Sequence, residues 1–124
     1  ILVIEDDEPV RTLLRDALSE VGYTVAIAEN GQEGMDALET GERFSLIILD
    51  LMMPVMSGWT FLEKLRTSSR FKTLPVIVTS GSLTEEVLEL STALLPKPYD
   101  LETLLETVAR QIDESRPQEN SVGF

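Results

Sequence analysis

A chain of 124 residues, 43% hydrophobic and 26% charged, is sized for one domain with a proper core. Its 22 acidic against 10 basic residues give a net charge of −12, which repels nucleic acid phosphates and anionic membrane surfaces and argues against direct binding to either. Cys and His are both absent, so disulfides, thiolate metal sites, the usual general base and phosphohistidine chemistry are unavailable to the chain itself, which must work with carboxylates, hydroxyls and Lys.

No apolar run approaches the roughly 18 to 20 residues that span a bilayer, and no basic segment followed by an apolar one opens the chain. The expectation is a soluble protein of the cytoplasm. The chain begins on Ile1, inside an apparent strand and without Met, so it is expected to be a piece of a longer polypeptide.

Ile1-Leu2-Val3-Ile4 is a short apolar run that stops at Glu5-Asp6-Asp7-Glu8 and predicts strand 1 with an acidic loop behind it. Pro9 suits the first turn of a helix, and Val10, Leu13, Leu14, Ala17, Leu18 and Val21 form one apolar face that ends at Gly22. Tyr23 to Ala28 predicts strand 2. Asn30 with Glu33 resembles a capping box and starts helix 2, which reaches about Glu39. Leu46 to Leu49 is apolar without alternation, the habit of a central parallel strand covered on both faces, and it ends in Asp50. After a loop closed by Gly58, helix 3 spans about Trp59 to Thr67, with Phe61, Leu62 and Leu65 inward.

Pro75 introduces strand 4, Val76 to Ser80, and a fourth helix is placed from Thr84 to about Ser91. Ala93 to Leu95 is strand 5, put at a sheet edge by the prolines of Pro96-Lys97-Pro98. Asp100 caps helix 5, whose Leu101, Leu104, Leu105, Val108 and Ile112 share a face. The polar stretch 114–124 reads as a linker or tail, leaving 1–113 as the domain.

Five strands alternating with five helices predict an α/β fold, a doubly wound, flavodoxin-like three-layer sandwich with a five-stranded parallel sheet of order 2-1-3-4-5. In that order the ends of strands 1 and 3 are neighbours. Glu5, Asp6 and Asp50 then converge where open parallel sheets bind ligands. Three crowded carboxylates raise each other's pKa unless a cation sits among them, and Mg²⁺, a hard ion that takes few carboxylates and keeps several waters, fits Asp6, Asp50, a loop carbonyl and solvent. Taken alone, the acid run would more often just favour the start of helix 1, but that leaves Asp50 unexplained. Lys97 ends at the same sheet edge, where it could neutralise an anion on Asp50, and its bond to Pro98 is a candidate for cis geometry. Thr79 and Ser80 offer hydroxyls, of which strand alternation turns only one toward the pocket.

These residues resemble the receiver domain of bacterial two-component response regulators over about residues 1–113. Glu5-Asp6 is similar to the family's acid pair, with Arg11 at its place in helix 1. Asp50 to Pro54 and on to Gly58 is similar to the phosphoacceptor segment, Ser80-Gly81 to the switch hydroxyl and its small neighbour, and Lys97-Pro98 to the basic pair. The resemblance implies that Asp50 takes a phosphoryl group from a phosphohistidine on a sensor histidine kinase or histidine phosphotransfer protein. It implies Mg²⁺ held by Asp6, Asp50 and the Met52 carbonyl, with Glu5 acting through water. Ser80 and Lys97 then engage the phosphoryl group, and the altered surface addresses an output domain, a partner protein or a second copy in a homodimer. Such a domain is not an enzyme on outside substrates, though it assists its own phosphorylation and dephosphorylation.

Two departures are visible. Leu94 stands where the family's switch aromatic would lie, and only 16 residues separate Ser80 from Lys97, which predicts a shortened or disordered helix 4 and an altered output face. The apolar Met52, where a polar side chain could orient water, predicts slow loss of the phosphoryl group. A metal-dependent phosphatase or nuclease would need a second Asp after Asp50, which Asp50-Leu51-Met52 lacks, and a flavodoxin-type flavin site would need hydroxyls where Glu5-Asp6-Asp7 stand. The remaining alternative is a receiver-like interaction module that is never phosphorylated.

Overall fold

The computed structural model describes residues 1–51, 55–80 and 89–114. Among them are strands β1 (Leu2–Ile4), β2 (Ala26–Ala28), β3 (Ile47–Asp50), β4 (Val76–Ser80) and β5 (Ala93–Pro96). The helices are α1 (Glu8–Glu20), α2 (Gly31–Glu39), α3 (Gly58–Thr67) and α4 (Leu101–Glu114), the last being the fifth helix expected from sequence. Of the stretch assigned to a fourth helix, only 89–91 are described, with Glu89 and Leu90 helical; the expected shortening lies outside the described residues.

All five strands pair in parallel in the order β2-β1-β3-β4-β5. The period-2 alternation of the strands splits the core into two layers. Leu2, Ile4, Ile47, Leu49, Val76 and Val78 pack with Leu38 of α2 and Phe61, Leu62 and Leu65 of α3. Val3, Ile48, Ile77 and Leu95 pack with Leu14 and Leu18 of α1 and Leu104 and Val108 of α4. This is why β1, β3 and β4 read as unbroken apolar runs: helices cover both faces, so neither parity is left for water.

Strand 2 is shorter than its Tyr23–Ala28 expectation, and the cause is the end of α1. Gly22, at φ +104, donates its N–H to Ser19 O (3.0 Å), and Tyr23 donates to Leu18 O (3.1 Å). These two bonds satisfy carbonyls that the helix leaves over and commit the Tyr23 backbone to the helix terminus rather than to the sheet. Pairing begins only at Ala26, whose N–H reaches Ile1 O. At α2, Asn30 caps as expected, its Oδ1 accepting from Glu33 N (2.8 Å), while the Glu33 carboxylate reaches back one residue further, to Glu29 N (3.1 Å). Asp100 caps α4 through Thr103 N (2.7 Å).

Candidate functional site

Parallel pairing of β1 with β3 sets Ile4 beside Leu49, so the next residues, Glu5 and Asp50, leave the sheet together at the switch in strand order. Both carboxylates are buried, at 3% and 4% exposure, while Asp6 is exposed. One carboxylate oxygen from each of Glu5, Asp6 and Asp50 lies within 4.8 Å of the others. The acid run is thus more than a helix N-terminal decoration, and Asp7, which occupies the N-cap of α1, makes no side-chain capping bond there. Arg11 holds the run from below, Nη1 donating to Glu5 O (2.8 Å) and Asp6 O (3.3 Å).

Lys97 enters from the far end of β5. Its backbone N–H extends the β4–β5 ladder by bonding Ser80 O (2.9 Å), and the Lys97–Pro98 peptide is cis, as the sequence suggested. The ammonium reaches Asp50 Oδ1 at 3.4 Å and Glu5 Oε2 at 3.8 Å. One cation therefore faces two buried carboxylates, and the balance is visible in Glu5. Burial and then repulsion from Asp50 push its carboxyl up to about 7, against opposing pulls from Lys97 and the Asp7 N–H.

Ser80 ends β4 beside Pro96, is 2% exposed and has polar partners. Its neighbour Thr79, paired with Asp50, turns its hydroxyl to Leu49 O at 3.5 Å. Met52 lies outside the described residues. Tyr99 was not singled out from sequence; its phenol is pushed up to about 12 by burial first and then by the charges of Glu5 and Asp50. The available signal was its position, an aromatic directly after Lys97-Pro98.

The loop after Asp50 returns tightly. Gly58 N–H bonds Leu51 O (3.1 Å), and a Cβ on Gly58 would stand 2.6 Å from Leu51 Cα and 2.7 Å from Asp50 O. Those are backbone atoms at the end of β3 and cannot step aside as a flexible side chain would. Gly58→Ala is expected to cost about 1–3 kcal/mol in urea unfolding by overpacking and to displace Asp50; an unchanged midpoint would contradict the contact. In the same loop Val55 has φ +69 and is 82% exposed, an unfavourable backbone for a β-branched residue.

An all-oxygen donor set of two buried and one exposed carboxylate, in a chain without His or Cys, fits a hard divalent cation and not a soft transition metal.

Residues 1–109 match the family described as the response regulator receiver domain. The response regulator MprA of Mycobacterium avium is 33% identical over 124 residues, covering 98% of this chain and 54% of its own length. The sensor histidine kinase CheAY of Helicobacter pylori is 34% identical over 118 residues, covering 90% of this chain and 15% of its own. The chain thus spans about half of one relative and a small part of the other. Among solved structures, the chemotaxis protein CheY4 of Vibrio cholerae has a TM-score of 0.78 and 32% identity, covering 88% of this chain and 94% of that one. The response regulator TrrA of Thermotoga maritima, in complex with Mg²⁺-BeF, has a TM-score of 0.74 and 26% identity, covering 89% and 96%.

Proposed function

The chain belongs to the response regulator receiver domain family of two-component signalling, and on that premise we propose that Asp50 accepts a phosphoryl group from a phosphohistidine of a partner kinase or phosphotransfer protein. The observation that carries the reading is the buried Asp50 carboxylate with Lys97 Nζ at 3.4 Å and the Glu5 and Asp6 oxygens within 4.8 Å. In the step, an Asp50 oxygen forms a bond to phosphorus while the phosphorus–nitrogen bond breaks. The electron pair of that bond stays on the partner's imidazole, and Asp50 becomes an acyl phosphate.

Glu5, Asp6, Asp50 and the backbone carbonyl of Met52 would hold Mg²⁺, with Glu5 acting through water; when bound, the ion would supply positive charge that offsets the crowded carboxylates and the incoming phosphoryl group. Lys97 holds its ammonium against Asp50 before the reaction and offsets the charge that develops on the phosphoryl group during it. Ser80 supplies a hydroxyl that closes on the product and draws the end of β4 with it. That displacement biases a surface read by an output domain, a partner protein or a second copy of the chain. Residues 1–113 form the receiver and 114–124 serve as a linker or tail, and the setting is the cytoplasm. The domain has no outside substrate; it assists only the gain and loss of its own phosphoryl group, and Met52 makes the loss slow. Among the described residues no helix is long and apolar enough to cross a membrane.

The partner approaches over an apolar groove formed by Val10, Leu13, Leu14, Pro98, Tyr99 and Leu101, which opens onto Lys97. Leu13 is 53% exposed there. Leu13→Asp is expected to slow transfer from a phosphorylated histidine kinase at least tenfold and to leave phosphorylation by acetyl phosphate unchanged, since the small donor needs no docking face. Equal slowing with both donors would contradict this. The chemistry itself is tested by borohydride reduction after phosphorylation, which converts an aspartyl phosphate to homoserine. Peptide mass is expected to place homoserine at position 50, and any other position would overturn the assignment.

A further inference from the structure

Arg66, in the last turn of α3, is half-buried, and none of its hydrogen bonds or ion pairs among the described residues goes to a carboxylate. Its guanidinium is used on backbone carbonyls of two separate segments. Nε donates to Leu90 O at 2.7 Å, while Nη1 donates to Leu74 O at 2.8 Å and Lys72 O at 3.0 Å, with Phe71 O more distant at 3.5 Å. Burial holds this guanidinium below its ordinary pKa, and among the described residues its hydrogen-bond acceptors are carbonyls, which carry its solvation. The Leu90 side chain packs into the same core layer as Leu74, Phe71 and Leu94. Two residues later, Thr92 is bound to β4 three times: Oγ1 donates to Val76 O (3.1 Å) and accepts from Val76 N (2.9 Å), and the Thr92 N–H also reaches Val76 O (3.0 Å).

Leu90 to Thr92 is therefore fixed to α3 and β4 immediately before β5 begins, ten residues after Ser80 ends β4. We propose that Arg66 is a positioning residue that anchors the chain at Leu90, so that the displacement phosphorylation drives at Ser80 is not passed along the chain through Leu90 into the start of β5, while the Lys97 N–H keeps the far end of β5 joined to Ser80. The signalling half rests on the reading of Asp50 and Ser80 given above; the anchoring half does not. The arrangement suits a chain with Leu94 in place of a switch aromatic, because no ring is present on β5 to carry a rotamer change across it. A planar fork can reach both segments at once, which the point charge of a lysine cannot.

The test is hydrogen exchange by mass spectrometry on the full chain, comparing wild type with Arg66→Lys and, as a second variant, Arg66→Gln. Before phosphorylation, amides of 91–95 in either variant are expected to exchange about tenfold faster, the loss of a charge-assisted anchor, with β1 and β3 amides unchanged. After Mg²⁺ and acetyl phosphate, amides of 91–95 are expected to stay unchanged in wild type and to exchange faster in the variants, the Lys97 amide being left out because it bonds Ser80 O directly. Unaltered exchange at 91–95, or equal acceleration in β1 and β3, would overturn the anchor and leave Arg66 a general stabiliser. A wild-type change already present at 91–95 would overturn its insulating role. Failure of the chain to gain a phosphoryl group by mass would overturn the signalling half alone, since the first comparison uses unphosphorylated protein.

Discussion

Lys97→Met is expected to slow the gain of a phosphoryl group from acetyl phosphate by about 10²–10³-fold, the scale found for removing one preorganised charge-stabilising group. The side chain is the cation placed against Asp50 Oδ1 and Glu5 Oε2, so its loss removes compensation both for the ground-state carboxylates and for the charge that develops on the phosphoryl oxygens. With Lys97 35% exposed, water screens part of the pair, and the stability cost in metal-free protein is expected at about 1–2 kcal/mol rather than the larger value of a fully buried pair. Saturating Mg²⁺ should raise the Tm of the variant more than that of wild type, because the ion then supplies the missing counter-charge. A rate within threefold of wild type would show that Lys97 does not act on the phosphoryl group.

Glu5→Gln is expected to separate metal binding from folding. The carboxylate belongs to the oxygen cluster, and its loss should weaken Mg²⁺ binding about 10–100-fold, as losses of groups supporting a metal site do. Trp59, which directly follows Gly58 at the start of α3, offers a fluorescence readout close to the Asp50 loop. In EDTA the stability effect runs the other way. Glu5 is pushed from its ordinary 4.5 to about 7, so the folded chain keeps a proton that the unfolded chain has already lost. That contribution is fully present below 4.5 and disappears as pH rises through 7. Metal-free wild type should therefore lose Tm across this interval relative to Glu5→Gln, which has no such group to titrate. Parallel Tm profiles for the two proteins would contradict the shift.

Strand order, helix faces and the meeting of Glu5, Asp6, Asp50 and Lys97 were legible because each rests on local chemistry. Unbroken apolar runs mark strands covered on both faces, a carboxylate ending such a run marks a crevice, and parallel crossovers limit the order. Ser80 ends β4 where expected, beside the residue that precedes Lys97. Less legible was anything decided by backbone competition. Tyr23 has the composition of a strand residue, but its N–H goes to the end of α1, and no propensity scale registers a capping bond between neighbouring elements. Arg66 was equally hidden. A basic residue in the last turn of a helix reads as a dipole partner in water, and its four carbonyl acceptors come from segments that only the fold brings together.

Whether Asp50 takes the phosphoryl group can be read from intact mass. The chain is incubated with acetyl phosphate, with and without Mg²⁺, beside Asp50→Asn under the same conditions. Wild type is expected to gain one phosphoryl group only when Mg²⁺ is present, and the Asn variant to gain none. No gain in wild type, or an equal gain in Asp50→Asn, would contradict this and favour an interaction module that never carries phosphate.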